Sequence, residues 1–451
     1  MIAARPPERT WFGQPRGLTI LFLTNMWEQF SYYGMRALLV FYMTKQLLLG
    51  QQWASFVYGT YTACAYFTPI VGGVLADRLL GRRRAIMIGG SIMALGHFMM
   101  ASEALFYVAL VTIALGNGLF LPSLPSQIDR LYEANDPRRN RAYNVYYVGV
   151  NLGGFLAPIL CGTLGETLGW HWGFGVAGVG MVAGLVIYTL GQRYLPPEIG
   201  RGEREIVALP SSRINSHLLT ALVAIGIAVT VFRGAYEQVG NTVALWTDQG
   251  VDRSAGSFTI PMTWFQALNS LFVMVLTPPL LAFWRRRVER GHVQSSAKRM
   301  STGALVVALS YLLLAVIARS DGSGQGVPWP WLVAFFAVLT LGELFILPTG
   351  LALFARLAPE GMGATTVAAW FLAIFTGSLT AGLIGTFWST LDHETYFLVL
   401  AGVACLAAAM LWMSSTFVTR AELRSTPNKD FDNSLSKTNS LVSENGNSPA
   451  T

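Results

Sequence analysis

Long apolar stretches recur along the chain, and short polar connections separate them. Each stretch covers about 20 residues or more, the length that a helix needs to cross a hydrocarbon core of roughly 30 Å. We number them as spans 1 to 12, at residues 17–44, 53–76, 84–103, 105–131, 142–165, 173–194, 217–247, 258–286, 297–319, 329–356, 363–389 and 395–417. The pattern predicts an all-α membrane protein with twelve transmembrane helices.

Composition supports a membrane protein, and the distribution of charge predicts its orientation. The chain is 53% hydrophobic and only 12% charged, which is too apolar for an ordinary soluble domain. Its net charge of +7 could suit nucleic acid, but the arginines lie in alternate connections, for example at 82–84, 138–141 and 285–290. Because positive charges stay on the cytoplasmic side, we expect both termini in the cytoplasm. The lipid bilayer of the cell membrane is the expected partner, and nucleic acid is not.

No pattern of reactive residues indicates an enzyme or a bound cofactor. Cys64, Cys161 and Cys405 lie inside apolar spans without metal-ligand spacing, and of the histidines only His97 lies well inside a span. A glycine-rich phosphate loop that ends in Gly-Lys-Ser or Gly-Lys-Thr does not occur, so ATP is not the expected energy source. We therefore expect no metal, no cofactor and no catalytic residues, and an intramembrane hydrolase is disfavoured.

The two halves of the chain echo each other. Residues 27–29 (WEQ) on span 1 match 236–238 (YEQ) on span 7, and 116–122 (GNGLFLP) on span 4 match 342–348 (GELFILP) on span 10. Transporters built from two parallel repeats place their binding site between the bundles, near the middle of the membrane. The predicted organisation is a cytoplasmic N-terminus at 1–16, a six-helix bundle at 17–194, a cytoplasmic linker at 195–216, a second six-helix bundle at 217–417, and a disordered cytoplasmic tail at 418–451.

Five charged residues stand out because they lie away from the ends of the predicted spans, where each costs on the order of 2.5–3.5 kcal/mol. They are Glu28, Arg36, Arg233, Glu237 and Glu343. Charged residues in such positions indicate a water-lined cavity or a charged partner. Arg233 and Glu237 are four residues apart and can pair within one helix, so a purely structural ion pair is the alternative explanation for these two.

Further polar and aromatic side chains accompany these charges in both halves. On span 1, the residues at 25, 29, 32, 33 and 36 follow helical spacings and form one polar and aromatic stripe. Elsewhere the polar groups and rings are Tyr147, Asn151, Trp264, Gln266, Asn269 and Trp370. Together they predict a cavity between the halves that binds a small polar organic solute. For each aromatic residue alone, core packing is an equally good explanation.

Several motifs resemble those of one transporter family. Residues 28–36 (EQFSYYGMR) resemble the first-span signature of the proton-dependent oligopeptide transporters, the POT family of the major facilitator superfamily. Residues 77–83 (DRLLGRR) resemble the superfamily motif between spans 2 and 3, and 146–151 (YYVGVN) and 169–174 (GWHWGF) resemble further family signatures. The resemblance covers residues 20–415. It implies the major facilitator fold, with two pseudo-symmetric six-helix bundles, and import of di- or tripeptides with protons by alternating access.

The resemblance also implies roles for individual residues. Glu28 and Glu237 would be the protonatable pair that couples transport to protons. Glu343 would receive the amino terminus of a peptide, and Arg36 would assist at its carboxylate. The rest of the substrate-binding set comprises Tyr33, Asn151, Asn269 and Trp370 by resemblance, and Tyr147, Arg233 and Gln266 by their polar character inside the spans. Asp77, Arg78 and Arg82 of the superfamily motif would serve gating or structure.

The chain also departs from the family pattern. Asn25, Gln29 and Leu121 stand where the family carries glutamate, arginine and lysine, Arg233 stands where tryptophan is usual, and Leu347 replaces a serine. Positive charge has thus moved from the first half of the pocket to the second. Two alternatives follow: a transporter of a non-peptide or anionic solute with atypical or no proton coupling, and a solute sensor that does not transport.

Overall fold

Twelve long helical segments follow the twelve apolar spans. The computed structural model describes residues 10–11, 13–133, 136, 138–197, 216–292, 294–320, 326–358 and 362–425. The helices of the first half are α1 (Arg16–Phe41), α2 (Gln51–Leu75), α3 (Arg82–Met99), α4 (Phe106–Ser123), α5 (Arg138–Thr167) and α6 (Trp170–Gly191). Those of the second half are α7 (Ser216–Tyr236), α8 (Thr242–Gln249), α9 (Trp264–Glu289), α10 (Ser296–Ser320), α11 (Pro330–Arg356), α12 (Gly363–Gly385) and α13 (His393–Ser425).

These helices confirm the all-α membrane fold. α7, a 3₁₀ turn at Glu237–Gly240 and α8 together fill span 7, and each other span corresponds to one helix. Ten of the described helical segments are long and apolar enough to cross a membrane. The other two are more polar, because α1 carries the stripe of span 1 and α3 begins with three arginines.

The structure differs from the predicted spans mainly at helix ends. Short strands precede α1, where β1 (Thr10–Trp11) pairs with β2 (Gln14–Pro15). α9 begins at Trp264 rather than near 258, because three short strands precede it: β3 (Val251–Asp252), β4 (Ser254–Ala255) and β5 (Phe258–Thr259). β4 pairs with β5, and β3 pairs with β6 (Val327–Pro328). α13 continues to Ser425, past the predicted end at 417. Residues 1–9, 198–215 of the linker and 426–451 of the tail lie outside the described residues.

Helix contacts repeat from one half to the other. In the first half α1 packs on α5 and α6, and α3 packs on α4, while in the second half α7 packs on α12 and α13, and α10 packs on α11. Two junctions, α2 with α12 and α5 with α9, join the halves. By their order in the two halves, α2 corresponds to α9 and α5 corresponds to α12, so the two junctions are equivalent. The two pseudo-symmetric bundles of the predicted fold are therefore confirmed.

The α2–α12 junction depends on two glycines. A Cβ atom built on Gly382 of α12 would lie 2.9 Å from the Cα atom of Gly59 on α2, and a Cβ on Gly59 would collide with Gly382 in turn. Small residues permit such close approach in lipid, where packing rather than exclusion of water drives helix association. The junction brings Tyr58, the neighbour of Gly59, to the interface between the halves.

Candidate functional site

A polar cavity of about 100 Å³ lies between the two halves, with room for several water molecules. Side chains of α1, α2 and α5 line it from the first half, and side chains of α7, α9 and α11 line it from the second. The structure brings together eight of the residues selected from the sequence: Tyr33, Arg36, Asn151, Arg233, Glu237, Gln266, Asn269 and Glu343.

Glu237 pairs with two arginines, one from each half. Arg36 of α1 donates from Nη2 to Oε2 of Glu237 at 2.5 Å, and Arg233 of α7 donates from Nη2 to Oε1. The side chains of Glu237 and Arg233 are 1% and 3% exposed, and that of Arg36 is 13% exposed. The intrahelical pair that the spacing of four residues allows is therefore present, and Arg36 adds a partner from the opposite half. One carboxylate thus pairs with two guanidinium groups, and the three groups together carry a net charge of +1.

Glu237 lies where the seventh span breaks. α7 ends at Tyr236, and the 3₁₀ turn at Glu237–Gly240 precedes α8. Gln238 bridges the break, because its Nε2 donates to the carbonyl oxygens of Gly234 at 3.1 Å and of Ala381 on α12 at 2.8 Å. A side chain at Gly240 would collide with the Tyr58 hydroxyl, so glycine is required for the turn to lie this close to the first half.

Two tyrosines hold Arg36 on the first half. The Tyr58 hydroxyl of α2 accepts a hydrogen bond from Arg36 Nε at 2.7 Å. The guanidinium carbon lies 5.8 Å from the ring centroid of Tyr58 and 5.9 Å from that of Tyr33. Aromatic faces attract cations, most strongly where water is excluded. Arg36 therefore keeps polar and aromatic partners that belong to its own half.

Arg233 has a similar aromatic environment, with one ring from each half. Its guanidinium carbon lies 5.2 Å from the ring centroid of Tyr66 on α2 and 5.3 Å from that of Tyr236 on α7. Tyr58, Tyr66 and Tyr236 did not enter the predicted set, although tyrosines at 58, 61 and 66 of span 2 follow spacings that place them near one side of a helix. This repeated spacing of tyrosines on span 2 is the sequence signal that indicates Tyr58 and Tyr66 as site residues.

Glu343 forms a second acidic pole, on α11. Asn269 of α9 donates from Nδ2 to Glu343 Oε2 at 2.7 Å and to the Thr340 hydroxyl at 3.1 Å. Tyr236 also interacts with the Glu343 carboxylate, whose residue is 8% exposed. Within the described residues, no lysine or arginine lies within ion-pair distance of Glu343. The carboxylate therefore faces the cavity with neutral partners and is free to receive a cation.

Glu28 lies apart from the cavity, within the first half. It is 1% exposed, and Gln29 Nε2 donates to its Oε2 at 2.7 Å. Among the described side chains, no cation forms an ion pair with it. Glu28 and Glu237 were predicted as a pair with one role, but their surroundings differ, because Glu237 has two arginine partners.

Trp370 does not line the cavity, which corrects the sequence prediction for this position. Trp370 of α12 is 2% exposed and packs edge-on against Phe354, with ring centroids 5.3 Å apart. Tyr147 lies one turn before Asn151 on α5 and is 44% exposed, but it is close enough to interact with Glu343 and Tyr33, so its role in substrate binding stays a prediction. An aromatic residue inside a span can pack in the core or face lipid as well as line a site, and residue type alone does not separate these cases.

The superfamily motif lies at one end of the first half, away from the cavity. Asp77 and Arg82 approach within 3.6 Å, and Arg82 Nη1 donates to the Ser126 carbonyl oxygen at 2.8 Å. Arg78 lies in the π-helical turn that follows α2, next to Asp77. These contacts tie the ends of α2, α3 and α4 together, and a gating role for the motif stays a prediction.

At the opposite end, polar contacts join the two halves. Lys45 pairs with Asp248 at 2.7 Å, Ser55 donates to Asn241 Oδ1 at 2.9 Å, and Glu166 accepts hydrogen bonds from the two residues that lead into α9. By the predicted topology this end faces the outside of the cell. The structure is therefore closed on that side of the cavity.

Comparisons with known proteins agree with the motifs. A family model described as the POT family matches residues 83–203 and 215–399. The di-/tripeptide transporter of Lactococcus lactis subsp. cremoris is 31% identical, over 88% of this chain and 94% of its own. A peptide transporter POT solved in complex with sulfate aligns at 28% identity with a TM-score of 0.84, covering 93% of this chain and 98% of its own. A POT family transporter solved with 5-aminolevulinic acid aligns at 26% identity with a TM-score of 0.82, covering 92% and 99%. The resemblance in the motifs is thus confirmed, and this chain is a multi-pass membrane protein that belongs to the POT family of transporters.

Proposed function

We propose that this chain imports di- or tripeptides, or a related small solute with an amino end and a carboxylate end, together with protons. It is a secondary transporter of the cell membrane with both termini in the cytoplasm, and it catalyses no chemical step. The observation that supports this most directly is a single cavity with an acidic and a basic pole supplied by different halves.

The acidic pole suits an ammonium group. Glu343 has only neutral partners within the described residues, so a positively charged solute end would complete its pairing. The basic pole is Arg36, which has a carboxylate partner in Glu237 that a solute carboxylate could replace. Tyr33 is close enough to interact with both Arg36 and Glu343, so the poles face one cavity. A zwitterion of peptide type matches this arrangement, as does the 5-aminolevulinic acid bound to the structural relative.

The size of the cavity implies a conformational change. About 100 Å³ accommodates several waters but little organic solute, so the halves must separate for loading. Alternating access supplies that separation, because the contacts that close one end join residues of opposite halves. Glu28 and Glu237, two of the buried carboxylates, are the candidates for the coupled proton, because burial disfavours the charged form unless a partner compensates it.

The test is uptake of labelled dialanine into proteoliposomes, with and without an inward proton gradient, against protein-free vesicles. Gradient-driven accumulation is expected. The Glu343→Gln variant should raise the KM for dialanine by roughly ten- to a hundredfold, since a hydrogen-bonded charge partner contributes about 1.5–3 kcal/mol. N-acetyl dialanine, which lacks the ammonium group, should inhibit wild type and variant equally.

The matched control is Glu103→Gln, the same substitution at an exposed residue outside the cavity. It should leave the KM unchanged. Equal affinity of Glu343→Gln and wild type for dialanine would remove the amino-end role. Absence of dialanine uptake by folded wild-type protein would contradict peptide transport, and it would favour the alternative of a non-peptide or anionic solute with Arg233 as an added cationic partner.

A further inference from the structure

Three charges meet across the interface between the halves, and opening breaks only one of the two ion pairs that they form. Arg36 belongs to α1 of the first half, whereas Glu237 and Arg233 belong to the broken helix of the second half. Any motion that opens the closed end separates Arg36 from Glu237. Arg233 lies one helical turn before Glu237 on the same helix, so this second partner travels with the carboxylate.

Loss of Arg36 would be costly for an isolated carboxylate. Glu237 is 1% exposed, and a buried charge without a partner costs several kcal/mol, so such a group takes up a proton instead. In this chain the carboxylate keeps an ion pair with Arg233 after Arg36 has left, and the pair as a whole is neutral. Arg36 itself keeps the Tyr58 hydroxyl, at 2.7 Å from Nε, and gains water as the end opens.

We propose that Arg233 is a resident counter-cation for Glu237, which lets the halves separate between Arg36 and Glu237 without protonation of that carboxylate. This rests on the proposed transport function and deepens it. Of the two carboxylates predicted to carry the coupled proton, Glu28 is then the one that does so, because it has no cation partner among the described residues. Arg233 acts through Glu237 and is a positioning residue for the gate rather than a contact for solute.

The groups around Glu237 are consistent with this assignment. They are Arg36 and Tyr32 on α1, Tyr58 on α2, Arg233 and Tyr236 on α7, Tyr311 on α10 and Glu343 on α11. Five of these seven are neutral or acidic at physiological pH. Once Arg36 has moved away, Arg233 is the one cation of this set that remains beside Glu237.

The test is a distance measurement across the closed end that needs no knowledge of the solute. Spin labels are placed on cysteines introduced at the exposed Leu168 of the first half and the exposed Ser389 of the second, with Cys64 and Cys405 replaced by alanine and the fully buried Cys161 retained. Pulsed electron paramagnetic resonance in nanodiscs then gives the populations of closed and open states between about pH 5 and 8, across the range in which perturbed carboxylates titrate.

Wild type is compared with two variants: Arg233→Gln, which removes the cation at 233, and Arg233→Lys, which keeps one. In Arg233→Gln the open population should rise as pH falls, at up to about tenfold per pH unit, the limit for one linked proton. Wild type and Arg233→Lys should lack this added response, because both carry a cation at 233. Combining Glu237→Gln with Arg233→Gln should abolish the response, because the group that takes up the proton is gone.

Three outcomes would overturn the proposal. One is the same pH response in Arg233→Gln and wild type. Another is persistence of the new response in the double variant, and the third is no open population in Arg233→Gln even at the lowest pH. Dialanine uptake is measured in parallel on the same preparations. Failure of uptake with the expected distance response would refute peptide transport alone, whereas uptake without that response would refute the role of Arg233 alone.

Discussion

Glu166 is the residue at the closed end whose replacement should most directly change the balance between the two states. It lies at the end of α5 in the first half, and its carboxylate accepts three hydrogen bonds from the two residues that lead into α9 in the second. The donors are the backbone N–H groups of Met262 and Thr263, both at 3.0 Å, and the Thr263 hydroxyl at 2.7 Å. A carboxylate at a helix N-terminus also interacts favourably with the helix dipole. Glu166 thus caps a helix of the opposite half, and this cap must break on opening.

The magnitude follows from the contacts that Glu166→Gln would lose. Glutamine keeps one carbonyl oxygen but turns an amide NH₂ toward a donor, so at least one charge-assisted hydrogen bond is lost, together with the ion pair to Arg253 of the second half, whose Nη1 lies 3.9 Å from Oε2. Such a bond contributes about 1.5–3 kcal/mol, which corresponds to a roughly ten- to hundredfold shift of the equilibrium toward the open state. The same labels at Leu168 and Ser389 measure that shift directly.

Glu103→Gln is the control for this experiment. Glu103 lies at the same end, but it accepts from Gln46 of its own half at 2.6 Å, so its replacement should not favour either state. A closed population in Glu166→Gln equal to that of wild type would show that the cap contributes nothing to closure. A shift of equal size in Glu103→Gln would show that any change of charge at this end has the same effect, and the argument from the α9 cap would be wrong.

Two further predictions concern helix packing. Gly59→Leu should abolish dialanine uptake, because the new side chain would collide with Gly382 of the other half. The control is Gly402→Leu, which should leave uptake intact because nothing lies within 4 Å of a Cβ atom at that position. Uptake by Gly59→Leu at the wild-type rate would contradict the close approach of α2 and α12. Trp370→Phe should lower the melting temperature, because the smaller phenylalanine ring loses part of the contact that the tryptophan ring makes with Phe354. The KM for dialanine should stay unchanged, and a raised KM would mean that Trp370 contacts the solute.

The helices could be predicted from sequence because a bilayer admits few alternatives. Backbone groups in hydrocarbon must be paired within the segment, so an apolar stretch of sufficient length forms a helix. Departures occur where that constraint does not apply, as in the strands before α9 and the extension of α13 to Ser425. The same constraint makes an intramembrane charge informative, which is why Arg36, Glu237 and Glu343 could be selected without a structure.

The partners of those charges were only partly accessible to sequence reasoning. The spacing of Arg233 and Glu237 indicates a pair within one helix, because a fixed geometry connects residues four apart. Arg36 lies 201 residues from Glu237 in the chain, and no local rule predicts that contact. Trp370 failed as a site residue for a related reason: the rotation of α12, which turns the ring toward Phe354, is set by packing between helices.

The cost of opening depends on what each buried charge keeps when the halves separate. Lys45 and Asp248 form a partly exposed pair, and such pairs contribute at most about 1 kcal/mol. Arg36 and Glu237 are buried, and breaking a buried pair costs far more if either partner is left alone. Here neither is left alone, because Tyr58 remains with Arg36 and Arg233 remains with Glu237. The pair can therefore break at a cost that a bound solute carboxylate, replacing Glu237 at Arg36, is able to offset.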